Sequence, residues 1–150
     1  MDRGGTCTDV TADFKLLSRV HGLYKRLVNH MTHSGLGISL SQASALLHLS
    51  QNAEASFQDL AILLGCGTSR ISRLVNELET LGLVRTWRSD ADRRALQLSL
   101  TSDGATLAGH VPTVFSEAEH HMLSTLSGEE RRRFRELLVR FVADVDRFCT

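Results

Sequence analysis

The chain has 150 residues, a hydrophobic fraction of 42% and a formal net charge of zero, which suits one domain with a real core and excludes a protein held to nucleic acid by bulk charge alone. No apolar run approaches the ~20 residues of a membrane span, and the polar N-terminus lacks the charged-then-apolar pattern of an export signal. Three cysteines, Cys7, Cys66 and Cys149, without CxxC or metal-finger spacing predict reduced thiols and a cytoplasmic protein.

After a leader over residues 1–8, apolar residues from Asp9 to about His33 fall in two neighbouring stripes. Val10, Phe14, Leu17, Tyr24, Val28 and Met31 make one, with His21 in its gap; Leu16, Val20, Leu23 and Leu27 make the other. Two adjacent stripes predict a long helix buried on a wide face, more than a small domain needs for itself. Ser34-Gly-Leu-Gly37 is expected to end it. Ser39-Leu-Ser-Gln42 has capping-box spacing and opens a helix through about Leu49, followed by a loop over Gln51–Ala55. Ser56 with Asp59 caps the next helix, Gly65 closes it, and helix resumes at Gly67 or Thr68 and ends at Gly82.

Leu83–Arg88 and Leu96–Thr101 are predicted strands. Leu96, Leu98 and Leu100 alternate with Gln97, Ser99 and Thr101, the period of a half-buried strand. The charged residues between them make a hairpin tip. Thr101-Ser-Asp-Gly starts a fifth helix, and Ser127-Gly-Glu-Glu130 caps a sixth, whose stripe is Phe134, Leu137, Leu138, Phe141, Val145 and Phe148. The fold class is therefore mainly α (α+β), a winged helix-turn-helix over 39–101 within a single domain, with flanking helices over 9–33 and 104–149.

In that reading Leu60, Leu63 and Leu64 face inward from one helix, and Ile71, Leu74, Val75 and Leu78 from the next. The outward residues are then Thr68, Ser69, Arg70, Ser72 and Arg73. A recognition helix places such residues against base edges in the major groove, where Arg reads guanine and hydroxyls hold phosphate. All the basic residues except Lys15 and Lys25 are arginine. Of these, Arg85, Arg88, Arg93 and Arg94 cluster about the hairpin tip and suit a narrow minor groove. Asp92 is placed to hold a neighbouring Arg by a charge-assisted bond. No paired carboxylates, phosphate loop or nucleophile motif points to an enzyme, and no cofactor is implied.

Leu60-Ala61, Leu64-Gly65, Ser72-Arg-Leu-Val75, Leu78-Glu79, Leu81-Gly-Leu-Val84, Asp92-Arg-Arg-Ala95 and Leu98-Ser-Leu-Thr101 together resemble the recognition helix and wing of the MarR family of bacterial transcription regulators. The resemblance covers about residues 9–149. It implies a homodimer whose first and last two helices interlock. It also implies a repressor released from an inverted-repeat operator by a small effector, with aromatic acids as candidates. The effector pocket would lie between the dimer helices and the DNA-binding lobe, with His21, Tyr24 and His48 as candidate polar lining. Two residues depart from the family pattern. Glu77 stands where many relatives carry Lys or Arg, and either weakens a backbone contact or bridges to a wing Arg. Trp87, where relatives are usually polar or charged, is read as packing between wing and helix core, with stacking on a ligand as the alternative.

Alternative switches are a thiol at Cys66, just before the recognition helix, where the helix dipole favours thiolate, and a metal at His30 and His33, one turn apart but without a third ligand nearby in sequence. No metal site is assigned. The alternative of another class is a winged-helix module that docks proteins and not DNA. That module has no need of arginine at both the recognition helix and the wing.

Overall fold

The computed structural model describes residues 7–88 and 96–149 in the order α1 (Cys7–Leu36), α2 (Leu40–Gln51), β1 (Ala55–Ser56), α3 (Phe57–Leu64), α4 (Thr68–Thr80), β2 (Val84–Arg88), β3 (Leu96–Leu100), α5 (Ser102–Met122) and α6 (Gly128–Cys149). They fall into two compact units, Met1–Ser116 and Glu117–Thr150, with α5 running from the first into the second.

In the first unit, α1 outruns its expected end. Ser34 and Gly35 stay helical, with the Ser34 hydroxyl donating back to the His30 carbonyl (2.7 Å); the chain turns only at Gly37, whose N–H donates to His33 O (3.0 Å). Ser39 then starts α2 with the predicted capping box. Its Oγ accepts the Gln42 N–H (3.3 Å), and Gln42 Oε1 accepts the Ser39 N–H (2.8 Å). Asn29 of α1 adds a tertiary cap, accepting the Leu40 N–H at 3.0 Å. Ser56 and Asp59 form the second predicted box, at 3.2 and 2.7 Å. That box holds the Asp59 carboxyl below its ordinary range, first through the Ser56 backbone N–H, then its hydroxyl, with the charge of His48 adding a little. Gly65 closes α3 at φ 57°, left-handed backbone that costs other residues energy.

Leu46, Leu49, Leu60, Ile71, Val75, Leu78 and Leu98 are buried together, so α2, α3, α4 and the sheet share one core. All four predicted inward residues of α4 are in it. Leu63 is not: it stays about half exposed. On a helix of only 8 residues the inward row is Leu60 with Phe57, Ala61 and Leu64 packing alongside, and Leu63 falls beside it.

The sheet is antiparallel with order β1-β3-β2. Ala55, expected in a loop, pairs with Leu98 in β1, a strand of 2 residues too short to show a period. Val84 opposes Leu100 and Thr86 opposes Leu98 on the core side. Arg85 opposes Ser99 and Trp87 opposes Gln97 on the other side, because side chains alternate along a strand. Leu96, at the outer end of its row, is exposed.

The root of the hairpin is bound to α5. Thr101 N–H donates to Leu83 O (3.1 Å), its hydroxyl donates to Gly82 O (2.7 Å), and the same oxygen accepts the Gly104 N–H (3.0 Å). The backbone passes so near that a Cβ on Gly104 would overlap the Leu83 carbonyl. Helix α5 then continues through Pro112.

In the second unit, Ser127 caps α6 through the third predicted box with Glu130 (2.8 and 3.3 Å), and Arg135 pairs with Glu119 at 3.3 Å. Both flanking regions leave apolar stripes wet. On α1 these are Phe14, Leu16, Leu17, Val20, Leu23 and Tyr24; on α6, Phe134, Leu137, Leu138, Phe141, Val142 and Val145. The side chains of Cys7, Val10, Phe148 and Cys149 lie outside the described residues.

Candidate nucleic-acid interface

Helix α4 sits on the core through Ile71, Leu74, Val75 and Leu78, so its opposite side must face outward. There Thr68, Ser69, Arg70, Ser72 and Arg73 are all exposed, as the spacing predicts. The N-cap is Gly67, which supplies no side-chain cap; the Arg70 N–H donates to the Gly67 carbonyl at 3.0 Å, and the helix start still favours an anion through its dipole. A shallow hollow of ≈ 700 Å³ lies on this surface, lined by Gln42, Ser69, Ser72, Arg73, Asn76, Glu77, Thr80 and Leu81. Asn76 and Thr80 escaped the sequence reading. They continue the three-and-four spacing of Ser69, Ser72 and Arg73, which is the signal that would have found them. Asn is the side chain that pairs two-fold with adenine.

Glu77 is the acid in this surface. Its Oε1 accepts Arg73 Nε–H at 3.2 Å and its Oε2 accepts Gln42 Nε2–H at 3.1 Å. Its described partners therefore lie on α4 and α2, while Arg93 and Arg94, to which a bridge is one of the two roles expected from sequence, lie outside the described residues. Arg73 and Glu77 side chains are 84% and 45% exposed, and a pair so wet stabilises the fold by only about 0–1 kcal/mol. Its effect is on where the guanidinium points. Gln42, only 9% exposed, is itself locked in the α2 capping box. Ser72 Oγ donates to Thr68 O at 3.0 Å, leaving its lone pairs outward.

On the hairpin, Arg85 Nε–H donates to Ser99 Oγ at 2.9 Å and its guanidinium carbon lies 6.0 Å from the Trp87 ring centroid, within cation–π range. Trp87 therefore packs on the sheet face away from the helix core, which corrects the expectation that it lies between wing and core. A second hollow, ≈ 410 Å³, is lined by Ala53, Glu54, Arg85, Thr86, Trp87 and Ser99. Arg88 ends β2 and is exposed. Asp92, Arg93 and Arg94, the expected minor-groove finger and its support, lie outside the described residues.

The candidate switch residues lie on several elements. His21 and Tyr24 are exposed on α1, and His48 is half-buried on α2 beside Asp59. Neither hollow is lined by any of them. Cys66 is half-buried and packs against the hydrophobic core, as a small apolar residue would. His30 and His33 are exposed, and among the described residues no group of three His, Cys, Asp or Glu side chains could hold a metal. Among the described residues no helix is long and apolar enough to cross a membrane.

Comparison with known proteins agrees with this geometry. Residues 36–95 match the model of the MarR family. The chain is 27% identical over 112 residues to the transcriptional repressor MprA of Escherichia coli K12; the match takes in 75% of this chain and 64% of MprA, so it spans just under two thirds of that relative. It is 28% identical over 111 residues to the HTH-type transcriptional repressor Rv2887 of Mycobacterium tuberculosis, covering 74% of this chain and 80% of the relative. In fold it is similar to a cysteine-to-serine mutant of MarR from E. coli complexed with operator DNA, with a TM-score of 0.78 at 20% identity over 89% of this chain and 95% of that one.

Proposed function

We propose, from its match to the MarR family model over residues 36–95, that the chain is a MarR-family DNA-binding transcriptional repressor acting in the cytoplasm as a homodimer on an inverted-repeat operator. The observation that carries this reading is the outer surface of α4. Hydroxyls, two arginines and Asn76 share one exposed side, above a helix start without a side-chain cap, on a helix fixed to the core by four buried residues. Thr68, Ser69, Arg70, Ser72 and Arg73 contact the major groove, and Arg88, Arg93 and Arg94 the backbone and minor groove, with Asp92 holding a wing arginine. The wet apolar stripes of α1 and α6 are the shared dimer core, since patches of that extent do not stay exposed on a stable monomer. Release is by a small effector, an aromatic acid being the first class to try.

The test is duplex DNA from the region upstream of the chain's own gene, titrated by fluorescence anisotropy at several salt concentrations. Binding should weaken steeply as salt rises, because each neutralised phosphate releases counterions. No binding, or an affinity indifferent to salt, overturns the reading.

A further inference from the structure

Glu77 is out of place on a surface that meets a polyanion. Its charge repels phosphate, and nothing about the fold requires it, since the position is half exposed. Yet both of its carboxylate oxygens are occupied by protein donors, Arg73 Nε–H and Gln42 Nε2–H. The second donor comes from a nearly buried side chain whose own oxygen is held by the Ser39 N–H at 2.8 Å. Glu77 is thus fixed from beneath, and it fixes Arg73 in turn.

A guanidinium has five donors arranged on more than one edge. With Nε–H committed to Glu77, the terminal Nη1 and Nη2 groups are what Arg73 can offer to DNA. A fork of that shape matches guanine O6 and N7. A long side chain already held in place also loses less freedom on binding. Repulsion of phosphate by the neighbouring carboxylate disfavours the competing, sequence-blind use of the same arginine.

Resting on the DNA-binding reading above, we propose that Glu77 is a specificity-determining positioning residue: clamped by Gln42, it aims the end-on fork of Arg73 at a guanine and lowers non-specific affinity in exchange for discrimination.

The experiment is selection of a randomised duplex library by the full-length protein, followed by affinity measurements on the enriched duplex, its single-base variants and a scrambled duplex. Wild type should enrich a sequence with one guanine per half-site that Arg73→Ala ceases to prefer. Glu77→Ala should cut the preference for that guanine by about 5- to 10-fold, with affinity for scrambled duplex level or higher. Glu77→Ala should add nothing in the Arg73→Ala background. Gln42→Glu, which keeps an acceptor for the Ser39 N–H but loses the donor to Glu77, should weaken the same preference in a chain with an intact α2 cap.

Glu77→Ala that raises affinity for every duplex and leaves the guanine preference within twofold overturns the proposal, since Glu77 then only repels phosphate. An equal effect of Glu77→Ala with and without Arg73 overturns it too. A wild type that enriches no sequence overturns the DNA-binding reading itself and this inference with it.

Discussion

Gly104→Ala should destabilise the protein although it improves helix propensity. Gly104 lies in the first turn of α5, where alanine is intrinsically better by about 1 kcal/mol. Its Cβ, however, would overlap the Leu83 carbonyl oxygen and lie 2.9 Å from the carbonyl carbon, with Leu100 Cδ2 at 3.3 Å. These first two are backbone atoms and cannot rotate away. Leu83 O also accepts the Thr101 N–H at 3.1 Å, so displacing it loses a partly buried hydrogen bond, costing about 1–3 kcal/mol. Shifting packed backbone costs a further ~1–3 kcal/mol. Net of the propensity gain, the loss is roughly 1–5 kcal/mol, or about 2–20 °C in Tm for a chain of this length. Gly109→Ala is the control, because the same helix has nothing within 4 Å of a Cβ there; it should gain about 0.5–1 kcal/mol. Thermal unfolding followed by circular dichroism, at one fixed protein concentration because self-association would make Tm depend on it, compares the two. Gly104→Ala at least as stable as wild type would refute the reasoning from close approach.

Ser56→Ala should cost about 1 kcal/mol through loss of the α3 cap, measurable by urea denaturation at neutral pH. The folded Asp59 carboxyl is depressed, so its stabilising share is present above the ordinary carboxylate range and is lost as pH falls through the depressed value. Ser56→Ala keeps the backbone N–H and loses only the hydroxyl donor to the carboxylate, so the gap between wild type and Ser56→Ala should narrow in acid without closing; a gap that stays constant down to strong acid contradicts the assignment. Sedimentation equilibrium should find a dimer, and Phe141→Glu, in the exposed stripe of α6, should shift it to monomer; a monomeric wild type at micromolar concentration refutes the dimer. Arg70→Ala should weaken binding to the selected duplex more than to a scrambled one, whereas an equal loss on every duplex with a salt slope lower by about 1 would place Arg70 on phosphate instead.

What was legible in the sequence was local or periodic. The three capping boxes at Ser39, Ser56 and Ser127 are pairs three residues apart, and each forms as spacing predicts. Ile71, Leu74, Val75 and Leu78 follow a helical period, so the outward side of α4 could be read by subtraction. What was not legible joins residues distant along the chain. Strand β1 exists only because β3 offers it an edge. The side of the sheet that Trp87 occupies depends on register with β3. The Gln42–Glu77 bond spans 35 residues, so sequence could mark Glu77 as odd without finding its partner. The closeness of Gly104 to Leu83 is likewise a meeting of two elements that neither announces alone.

The described part of the hairpin is fastened at its root. Thr101 ties that root to the end of α4 and the start of α5 through three hydrogen bonds, while Arg88 and Leu96 are the last described pair of its ladder. The root is set by Gly82, Leu83, Thr101 and Gly104 and tolerates almost no change. For engineering, this makes the hairpin beyond Arg88 and Leu96 an exchangeable cassette. Grafts joined at Arg88 and Leu96 should keep the body of the protein intact while altering what it reads, and cuts placed at Thr101 should unfasten the reader from its frame.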